Sequence, residues 1–309
     1  MSIANICINS NHSIAIYPIC ALEDNYIWAI VNKAVNDAIL VDVGECLPAL
    51  TFLQDNQLSL SAIWITHHHD DHIGGVGELL SHYPSAKLYA HSTHKVDKYR
   101  PIIVDDATQF QAFGYDVRVW ATGGHTDSHL SYLLDLPNVA SDNISDNSES
   151  ITTHVFCGDT LFRAGCGRVF TGTIEQLYHS FLKYHQLSDH SIFYPAHEYT
   201  LANLAFALTI EPNNSAIQSA LTTAKNQRNN NQPTLPTTLG DERAINPFLR
   251  AISDFDTLKT AYLQATSLNN INTNNLDDNL QTPIDSQTLF AQLRQLKDKN
   301  QSLQTSQLL

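Results

Sequence analysis

The sequence predicts an α/β fold followed by a helical C-terminal region, and two observations support this class. Short runs of β-branched and aromatic residues alternate with helical patterns up to residue 194, which is typical of sheets covered by helices. After His197 the strand pattern stops and helical periodicity alone continues. We therefore predict a first domain over residues 1–198 and a helical domain over residues 199–309.

The individual elements follow from hydrophobic periodicity along the chain. Strands are predicted at residues 13–19, 26–31, 38–43, 62–65, 87–90, 115–120, 130–136, 153–157 and 192–194, with helices at 47–57, 73–83 and 174–187. In the second domain, helices are predicted at 201–208, 215–229, 255–265 and 286–299. Segment 137–150, rich in Asn, Asp and Ser, is expected to be an exposed loop, and segment 269–279, low in apolar content, is expected to be a helix end or a mobile loop.

The composition excludes several classes of partner. The 309 residues are 43% hydrophobic and carry a formal charge of −14, which argues against a broad surface for nucleic acid or anionic membranes. No window approaches the roughly 20 apolar residues of a membrane helix, and the uncharged segment 1–22 is too interrupted for a signal peptide. The five cysteines are odd in number and lack C-x-x-C spacing, which favours a cytoplasmic location. No feature demands an oligomer, so a monomer is expected.

Residues 67–72 read His-His-His-Asp-Asp-His and place four of the fifteen histidines within six positions. Imidazole nitrogen and carboxylate oxygen are ligands of divalent metals, and they are costly to bury without one. His67 and His69 follow a predicted strand and project to the same side, so they can share one ion. Asp71 and His72 diverge from that pair and can hold a second ion. A histidine-rich surface tract would lack the strand before these ligands and the Gly-Gly after them.

Other polar residues also stand directly after predicted strands, where α/β proteins place their sites. His125 follows a Gly-Gly turn, Asp159 follows Gly158, and His197 follows Pro195-Ala196. A carboxylate has two oxygens, so Asp159 can bridge two ions roughly 3.5–4 Å apart. We therefore predict a two-metal site whose ligands are His67, His69, Asp71, His72, His125, Asp159 and His197.

For polar residues near these ligands we predict roles other than metal binding. Asp42, at the end of an earlier strand, is predicted to orient a ligand. His129 is expected to support the site or the core rather than bind an ion. Asp70 and His68 lie between ligands and are expected to face solvent.

Four motifs in this sequence resemble those of the metallo-β-lactamase superfamily, and within it the glyoxalase II (hydroxyacylglutathione hydrolase) family. They are H-x-H-x-D-H from His67, G-H-T-x-x-H from Gly124, G-D-T-L-F-R-A-G-C-G-R from Gly158 and H-E-Y-T from His197, and Asn246-Pro247-Phe248-Leu249-Arg250 adds to them. The resemblance covers nearly the whole chain. It implies an αββα sandwich with metals at one sheet edge, followed by a helical domain that binds glutathione.

The resemblance also implies the reaction, which is hydrolysis of S-2-hydroxyacylglutathione, chiefly S-D-lactoylglutathione, to glutathione and D-lactate in methylglyoxal detoxification. Asp71 and Asp159 would be the catalytic carboxylates, holding ions whose bridging hydroxide attacks the thioester. A metal-bound water has a pKa lowered towards roughly 7, and the thiolate leaves without obligatory protonation because a thiol pKa is about 8.5. Zinc is the expected metal, with iron and manganese as alternatives because histidine and carboxylate accept all three.

The glutathione carboxylates require local cations in a chain of charge −14. The positions that match the family's peptide-binding residues are Arg168, Phe170, Tyr199 and Arg250. Some family members carry a hydroxylated aromatic where this chain has Phe170 and a lysine where it has Ser253. Arg294, Lys297 and Lys299 of the final predicted helix are alternative cations, although a solvated helix face explains them equally well.

Three other functions remain compatible with parts of this pattern. Another hydrolase of the same fold would act on a lactam, lactone or phosphodiester, but a β-lactamase is usually exported and an RNA-processing member is more basic. A persulfide dioxygenase uses one iron with fewer ligands and has a shorter C-terminal region. A purely structural metal would need four ligands and no water, whereas seven candidates favour an open site.

Overall fold

The computed structural model describes residues 13–137, 151–268 and 284–306, so the polar segment predicted at 137–150 lies almost wholly outside the described residues and that at 269–279 wholly so. The strands are β1 (Ile14–Ala21), β2 (Asn25–Asn32), β3 (Asp37–Val41), β4 (Ser59–Trp64), β5 (Lys87–Ala90), β6 (Ile102–Ile103), β7 (Gln109–Ala112), β8 (Tyr115–Ala121), β9 (Leu130–Pro137), β10 (Ile151–Gly158), β11 (Leu161–Phe162), β12 (Gly165–Cys166), β13 (Ile192–Pro195) and β14 (Thr237–Thr238). The helices are α1 (Cys46–Asp55), α2 (Asp70–Ile73), α3 (Val76–His82), α4 (Ile174–His185), α5 (Thr200–Ile210), α6 (Ser215–Asn229), α7 (Leu239–Ile245), α8 (Pro247–Ser253), α9 (Phe255–Leu268) and α10 (Ser286–Ser306).

The chain divides into two compact units, each formed from several segments. The first unit contains Met1–Gly123, Ser128–Asp159 and His190–Glu198, and the second contains Gly124–Asp127, Thr160–Asp189 and Tyr199–Leu309. Two segments that precede residue 198 therefore belong with the helices of the second unit. The α/β class and the helical C-terminal region are confirmed, and the domain boundary at residue 198 stays a prediction.

The first unit is built from two sheets. One runs in the order β1-β2-β3-β4-β5-β6, antiparallel at its start and parallel from β3 onward. The other runs, within this unit, in the order β13-β10-β9-β8-β7 with β10 and β13 parallel. The buried, apolar sequences of β2, β3 and β4 are typical of central strands covered on both faces.

Aromatic side chains join the two sheets of the first unit. The ring of Trp64 on β4 stacks on Tyr132 of β9 at 5.1 Å between centroids and meets Phe156 of β10 edge-on. The Tyr132 hydroxyl also donates a hydrogen bond to the carbonyl of Ile65. On its other face the first sheet packs against α1 and α3 through residues such as Phe52 and Leu79. These layers fix the ends of β4 and β10, where predicted ligands begin.

The helix predicted at 73–83 corresponds to α3, and Gly74 and Gly75 separate it from α2, a short helix that begins earlier, at Asp70. The amide of Gly75 donates to the carbonyl of Val43, at the end of β3. A Cβ on Gly75 would overlap the backbone of Glu45 and Cys46. The two glycines thus let the chain pass against the β3–α1 turn, and α2 becomes a separate four-residue helix that begins with Asp70 and Asp71.

The second unit consists mainly of helices around an aromatic core. Phe181 of α4, Phe248 of α8 and Phe290 of α10 lie with their ring centroids 5.2–6.5 Å apart. Helices α7 and α8 were not predicted, because each has only seven residues and the Asn246-Pro247 pair interrupts the pattern between them. The two-residue strands, such as β6 and β11, are likewise too short for periodicity to reveal. In the part of the chain that is described, no helix is long and apolar enough to cross a bilayer.

Candidate metal centre

Six of the seven predicted metal ligands belong to the first unit and lie close to strand ends. His67 and His69 follow β4, Asp159 follows β10 and His197 follows β13, while Asp71 and His72 lie on α2. The parallel pairing of β10 with β13 brings Asp159 and His197 to the same sheet edge. His125 belongs to the second unit.

The ligand atoms of the first unit form two overlapping groups that share His72. His67, His72 and Asp159 form one group, Asp71, His72 and His197 form the other, and the atoms of each lie within 4.8 Å of one another. Within them, His72 Nε2 lies 3.5 Å from Asp159 Oδ1, and His197 Nε2 lies 3.3 Å from Asp159 Oδ2. The two oxygens of Asp159 therefore face different histidines, which is the arrangement that a bridging carboxylate needs.

His67 and His69 present nitrogens to the same point. His67 Nε2 and His69 Nδ1 are 3.0 Å apart, and the rings are nearly perpendicular. Extended backbone at His69 (φ −70°, ψ 149°) places the two side chains on one side, as alternation along a strand predicts. Asp70, between this pair and Asp71, is exposed, as expected.

Oxygen atoms behind the histidines select which ring nitrogen faces the site. His72 Nδ1 donates to Asp42 Oδ2 at 2.9 Å, and His197 Nδ1 donates to Asp24 Oδ1 at 2.8 Å. The Thr66 hydroxyl donates to Asp42 at 2.7 Å, so it accepts from His67 Nδ1 at 3.1 Å. In all three histidines Nδ1 thus carries the proton and Nε2 is the ligating nitrogen. Asp42 has the orienting contact that the sequence predicted.

Two polar residues of the β1–β2 turn were missed by the sequence analysis. Asn25 is buried and donates to Asp71 Oδ2 at 3.0 Å, and Asp24 holds His197 as described. A backbone bridge between Asn25 and His197 brings this turn to the site. The available signal was a pair of polar residues, Asp24-Asn25, between two buried strands, but it does not reveal a partner 172 residues away.

His129 supports Asp159, in agreement with the prediction that it is not a ligand. Its Nε2 accepts a hydrogen bond from the backbone amide of Asp159 at 3.1 Å, and its ring stacks on His67 at 5.0 Å. Gly158, which precedes Asp159, has φ +47° and lies so close to Thr66 and His129 that a Cβ would overlap them. Glycine is needed here to turn Asp159 into the site.

The electrostatics of the cluster favour positive charge. Burial alone would lower the pKa of His72, but the charges of Asp159 and Asp42 outweigh it and raise that pKa to about 10. The same balance raises the pKa of His197, and hydrogen bonds from His197 and His72 hold the pKa of Asp71 well below its usual range despite burial. A cluster that stabilises positive charge, is built from imidazole and carboxylate and has oriented Nε2 atoms fits divalent metal ions.

Residues predicted to bind substrate lie in the second unit with His125. His125 Nδ1 donates to the carbonyl of Arg168 at 2.8 Å, so Nε2 is again the ligating nitrogen, and its carbonyl accepts from the amide of Phe170. The Phe170 ring meets the His125 ring edge-on at 5.2 Å and is 60% exposed. The Arg168 and Tyr199 side chains are also solvent-accessible.

The buried cations of the second unit differ from the expectation. Arg250 is paired with Glu211 at 2.9 Å and Asp254 at 2.8 Å, so its guanidinium already has carboxylate partners. Arg294 and Lys297 are 3% exposed and do not form a solvated helix face. Arg294 donates to the Cys166 carbonyl, and Lys297 donates to Asn203. Among the predicted cations, Arg168 and Lys299 are exposed, as a contact with a glutathione carboxylate would require, and Arg168 Nε lies 3.6 Å from Asp298 Oδ1.

Comparisons with known proteins agree with this fold and site. Residues 23–197 match the family described as the metallo-beta-lactamase superfamily. A crystal structure of ETHE1 from Myxococcus xanthus is similar, with a TM-score of 0.54 and 22% identity, over 87% of this chain and 92% of that one. The fold and the histidine–aspartate cluster thus define a protein of the metallo-β-lactamase superfamily with a site for divalent metal.

The C-terminal region identifies the branch. Residues 198–300 match the description "Hydroxyacylglutathione hydrolase C-terminus". A hydroxyacylglutathione hydrolase of Neisseria meningitidis is 50% identical over 235 residues, which is 76% of this chain and 85% of the relative. One from Actinobacillus pleuropneumoniae is 42% identical over 77% of this chain and 92% of the relative. The chain belongs to the hydroxyacylglutathione hydrolase family.

Proposed function

We propose that the protein hydrolyses S-2-hydroxyacylglutathione, with S-D-lactoylglutathione as the main substrate, to glutathione and D-lactate. The observation that carries this proposal is a pair of imidazole–carboxylate groups that share His72, with the two oxygens of Asp159 facing His72 and His197, in a member of this family. The name of the relatives, hydroxyacylglutathione hydrolase, indicates a glutathione thioester as substrate, and the cluster offers the metal ligands that its hydrolysis would need.

We propose that His67, His69 and His125 hold one ion, that Asp71, His72 and His197 hold a second, and that Asp159 contacts both. Zinc is the proposed metal, with iron and manganese as alternatives. Divalent ions there would supply Lewis acidity at the thioester carbonyl and lower the pKa of water. The protein's own contribution is to fix the histidine tautomers through Asp24, Asp42 and Thr66.

Recognition of glutathione is assigned to exposed residues of the second unit. Arg168 would pair with a glutathione carboxylate, while the rings of Phe170 and Tyr199 would pack along the peptide. Arg250 is reassigned from substrate binding to a structural task, because Glu211 and Asp254 already bind its guanidinium. A thiolate leaving group needs no dedicated general acid, since a thiol pKa is about 8.5.

The cellular setting is part of the same proposal. A cytoplasmic location rests on the odd number and spacing of the cysteines, and a monomer is proposed because no sequence feature demands an assembly. A detoxifying role for methylglyoxal follows from the substrate class.

The experiment measures loss of thioester absorbance with S-D-lactoylglutathione, using purified protein of known metal content from elemental analysis. Rapid hydrolysis with about two metals per chain is the expected result. Two bound metals without hydrolysis of this thioester would indicate that the protein is another hydrolase of this fold, with a different substrate. One iron per chain with oxygen uptake on glutathione persulfide would make it a dioxygenase and refute the proposal.

A further inference from the structure

The β11–β12 hairpin of the second unit is very short, and side chains from distant helices hold its backbone. Each strand has two residues, and an isolated hairpin of this size is not stable in water. Its turn residue Ala164 is fully buried with φ +57°, a left-handed conformation that costs energy for a residue with a Cβ. The surrounding structure must therefore impose this shape.

Side chains from the C-terminal helices bind the backbone of five consecutive hairpin residues. Asn246 Nδ2 donates to the carbonyls of Phe162 and Gly165 at 3.3 and 2.9 Å. Asn203 donates to the Arg163 carbonyl at 2.9 Å, Glu242 accepts from the Ala164 amide at 2.8 Å, and Arg294 donates to the Cys166 carbonyl at 3.1 Å. We call Asn203, Glu242, Asn246 and Arg294 the hairpin clamp.

The clamp residues are buried, and two of them are bonded to each other. Glu242 and Asn246 are 0% exposed and joined at 2.8 Å, while Thr237 donates to the other Glu242 oxygen at 2.8 Å. Buried polar networks of this kind favour one geometry, because a displacement leaves further buried polar atoms unpaired. The four side chains come from α5, α7, the α7–α8 junction and α10, so the hairpin is held by helices far apart in sequence.

The hairpin leads directly into a segment that contains the proposed substrate contacts Arg168 and Phe170 and that is bonded to His125. Two residues after Cys166, the Arg168 carbonyl accepts from His125 Nδ1, and the Phe170 amide then donates to the His125 carbonyl. The position of His125 thus depends on where the hairpin ends. None of the clamp side chains is a predicted metal ligand, and Arg294, which the sequence offered as an alternative cation for glutathione, is buried against the hairpin.

We propose that the hairpin clamp is a positioning device, through which the C-terminal helices set the place of His125 and of the Arg168–Phe170 segment. The inference rests on the proposed function, its substrate part through the glutathione contacts and its metal part through the proposed ligation by His125. Partners that orient a metal ligand typically change metal affinity by 10–100-fold when removed, and small displacements of a binding group weaken substrate binding. Loss of the clamp should therefore weaken both metal retention and glutathione binding.

The test compares three variants of the full-length chain. Glu242→Leu keeps side-chain bulk and removes the acceptors for Ala164, Asn246 and Thr237. Glu242→Gln keeps one oxygen for Ala164 and Asn246 and turns its amide toward the Thr237 hydroxyl, which can accept. Asn214→Ala removes the N-cap of α6 in the same unit, without touching the hairpin, and serves as the control for lowered stability.

For each variant, bound metal is followed by elemental analysis during a chelator titration, together with melting temperature, KM and kcat. Glu242→Leu should release part of its metal at about tenfold lower chelator concentration and show a several-fold higher KM for the glutathione thioester. Glu242→Gln should restore both values, and Asn214→Ala should keep them despite its lower melting temperature. Equal metal release in Glu242→Leu and Asn214→Ala would overturn the proposal.

Two further comparisons keep the inference testable. If Glu242→Leu does not fold, Thr237→Val removes only one donor to Glu242 and should shift metal release in the same direction by a smaller factor; no shift would refute the clamp. If the wild-type protein does not hydrolyse the glutathione thioester, the proposed function fails, but the metal-release comparison still decides the inference about His125.

Discussion

The two oxygens of Asp159 face His72 and His197, and its amide is held by His129. Replacement of Asp159 by alanine removes both oxygens at once. We therefore expect the protein to lose bound metal and its rate of hydrolysis to fall by about a hundredfold. Elemental analysis and a thioester assay measure the two effects. Asp70→Ala is the matched control, because Asp70 is an exposed carboxylate of the same motif. Full metal and full activity in Asp159→Ala would exclude the bridging role.

A second prediction at the residue scale separates Arg168 from Arg250. The exposed Arg168 should act on substrate, so Arg168→Met should raise KM for the glutathione thioester about tenfold and leave stability and metal unchanged. Arg250→Met leaves Glu211 buried without its cation and should lower the free energy of unfolding by about 3 kcal/mol. Urea unfolding and steady-state kinetics distinguish the two. A large KM effect in Arg250→Met without destabilisation would restore its predicted substrate contact.

The ion pair between Arg250 and Glu211 shows what local sequence leaves out. The ligand motifs could be read because each combines an apolar strand with polar residues directly after it, and both signals are local. The partner of Arg250, Glu211, is 39 positions away on another element. Asp24 and Asn25 were missed for the same reason, since contacts between distant parts of the chain, such as the bridge from Asn25 to His197, bring them to the site. Long-range pairing of polar groups has no sequence period.

At the scale of elements, the position of α2 depends on close backbone contact with the turn after β3. A Cβ on Gly44 would overlap the carbonyl oxygen of Asp71, so Gly44→Ala must displace α2 and with it Asp71 and His72. We expect weaker metal retention and a loss of about 1–3 kcal/mol in the free energy of unfolding. A chelator titration and urea unfolding measure these changes.

The control for this prediction is Gly114→Ala. Gly114 has φ +84° in the β7–β8 turn, where a Cβ would have open space around it. This substitution should destabilise through backbone strain alone and leave the metal bound. If both glycine variants release metal equally, contact between Gly44 and α2 does not govern the site. The break between α2 and α3 escaped prediction because a helical pattern continues through Gly74-Gly75, and only the neighbouring turn explains the interruption.

At the scale of the whole molecule, the negative charge of the chain contrasts with its local cations. A net charge of −14 repels an anionic thioester at long range, so recognition must come from placed groups such as Arg168. The buried cations Arg250 and Arg294 serve the fold instead, through Glu211 and Cys166. The sequence predicts the charge, but not which cations are exposed, because exposure depends on how the helices pack.

The pH dependence of stability tests the buried network of the second unit. Burial raises the pKa of Glu242 from 4.5 to about 7, although hydrogen bonds from Asn246, Thr237 and Ala164 oppose it. Between these two values the folded protein holds a proton that the unfolded chain has released, so this stabilisation is complete below pH 4.5 and is lost as pH rises to about 7. Each unit of pKa shift corresponds to about 1.4 kcal/mol, so the free energy of unfolding should fall by about 3 kcal/mol across this window.

Glu242→Gln removes this titration and keeps most of the bonds. Relative to wild type, its free energy of unfolding should therefore increase through the window from pH 4.5 to about 7 and stay constant above it. Urea unfolding at half-unit pH steps measures the difference, which cancels the titration of all groups common to both proteins. Asn214→Ala, which changes no titratable group, should differ from wild type by the same amount at every pH. A constant difference for Glu242→Gln as well would mean that Glu242 titrates alike in the folded and unfolded chains, so that its burial between Ala164 and Asn246 carries no electrostatic cost.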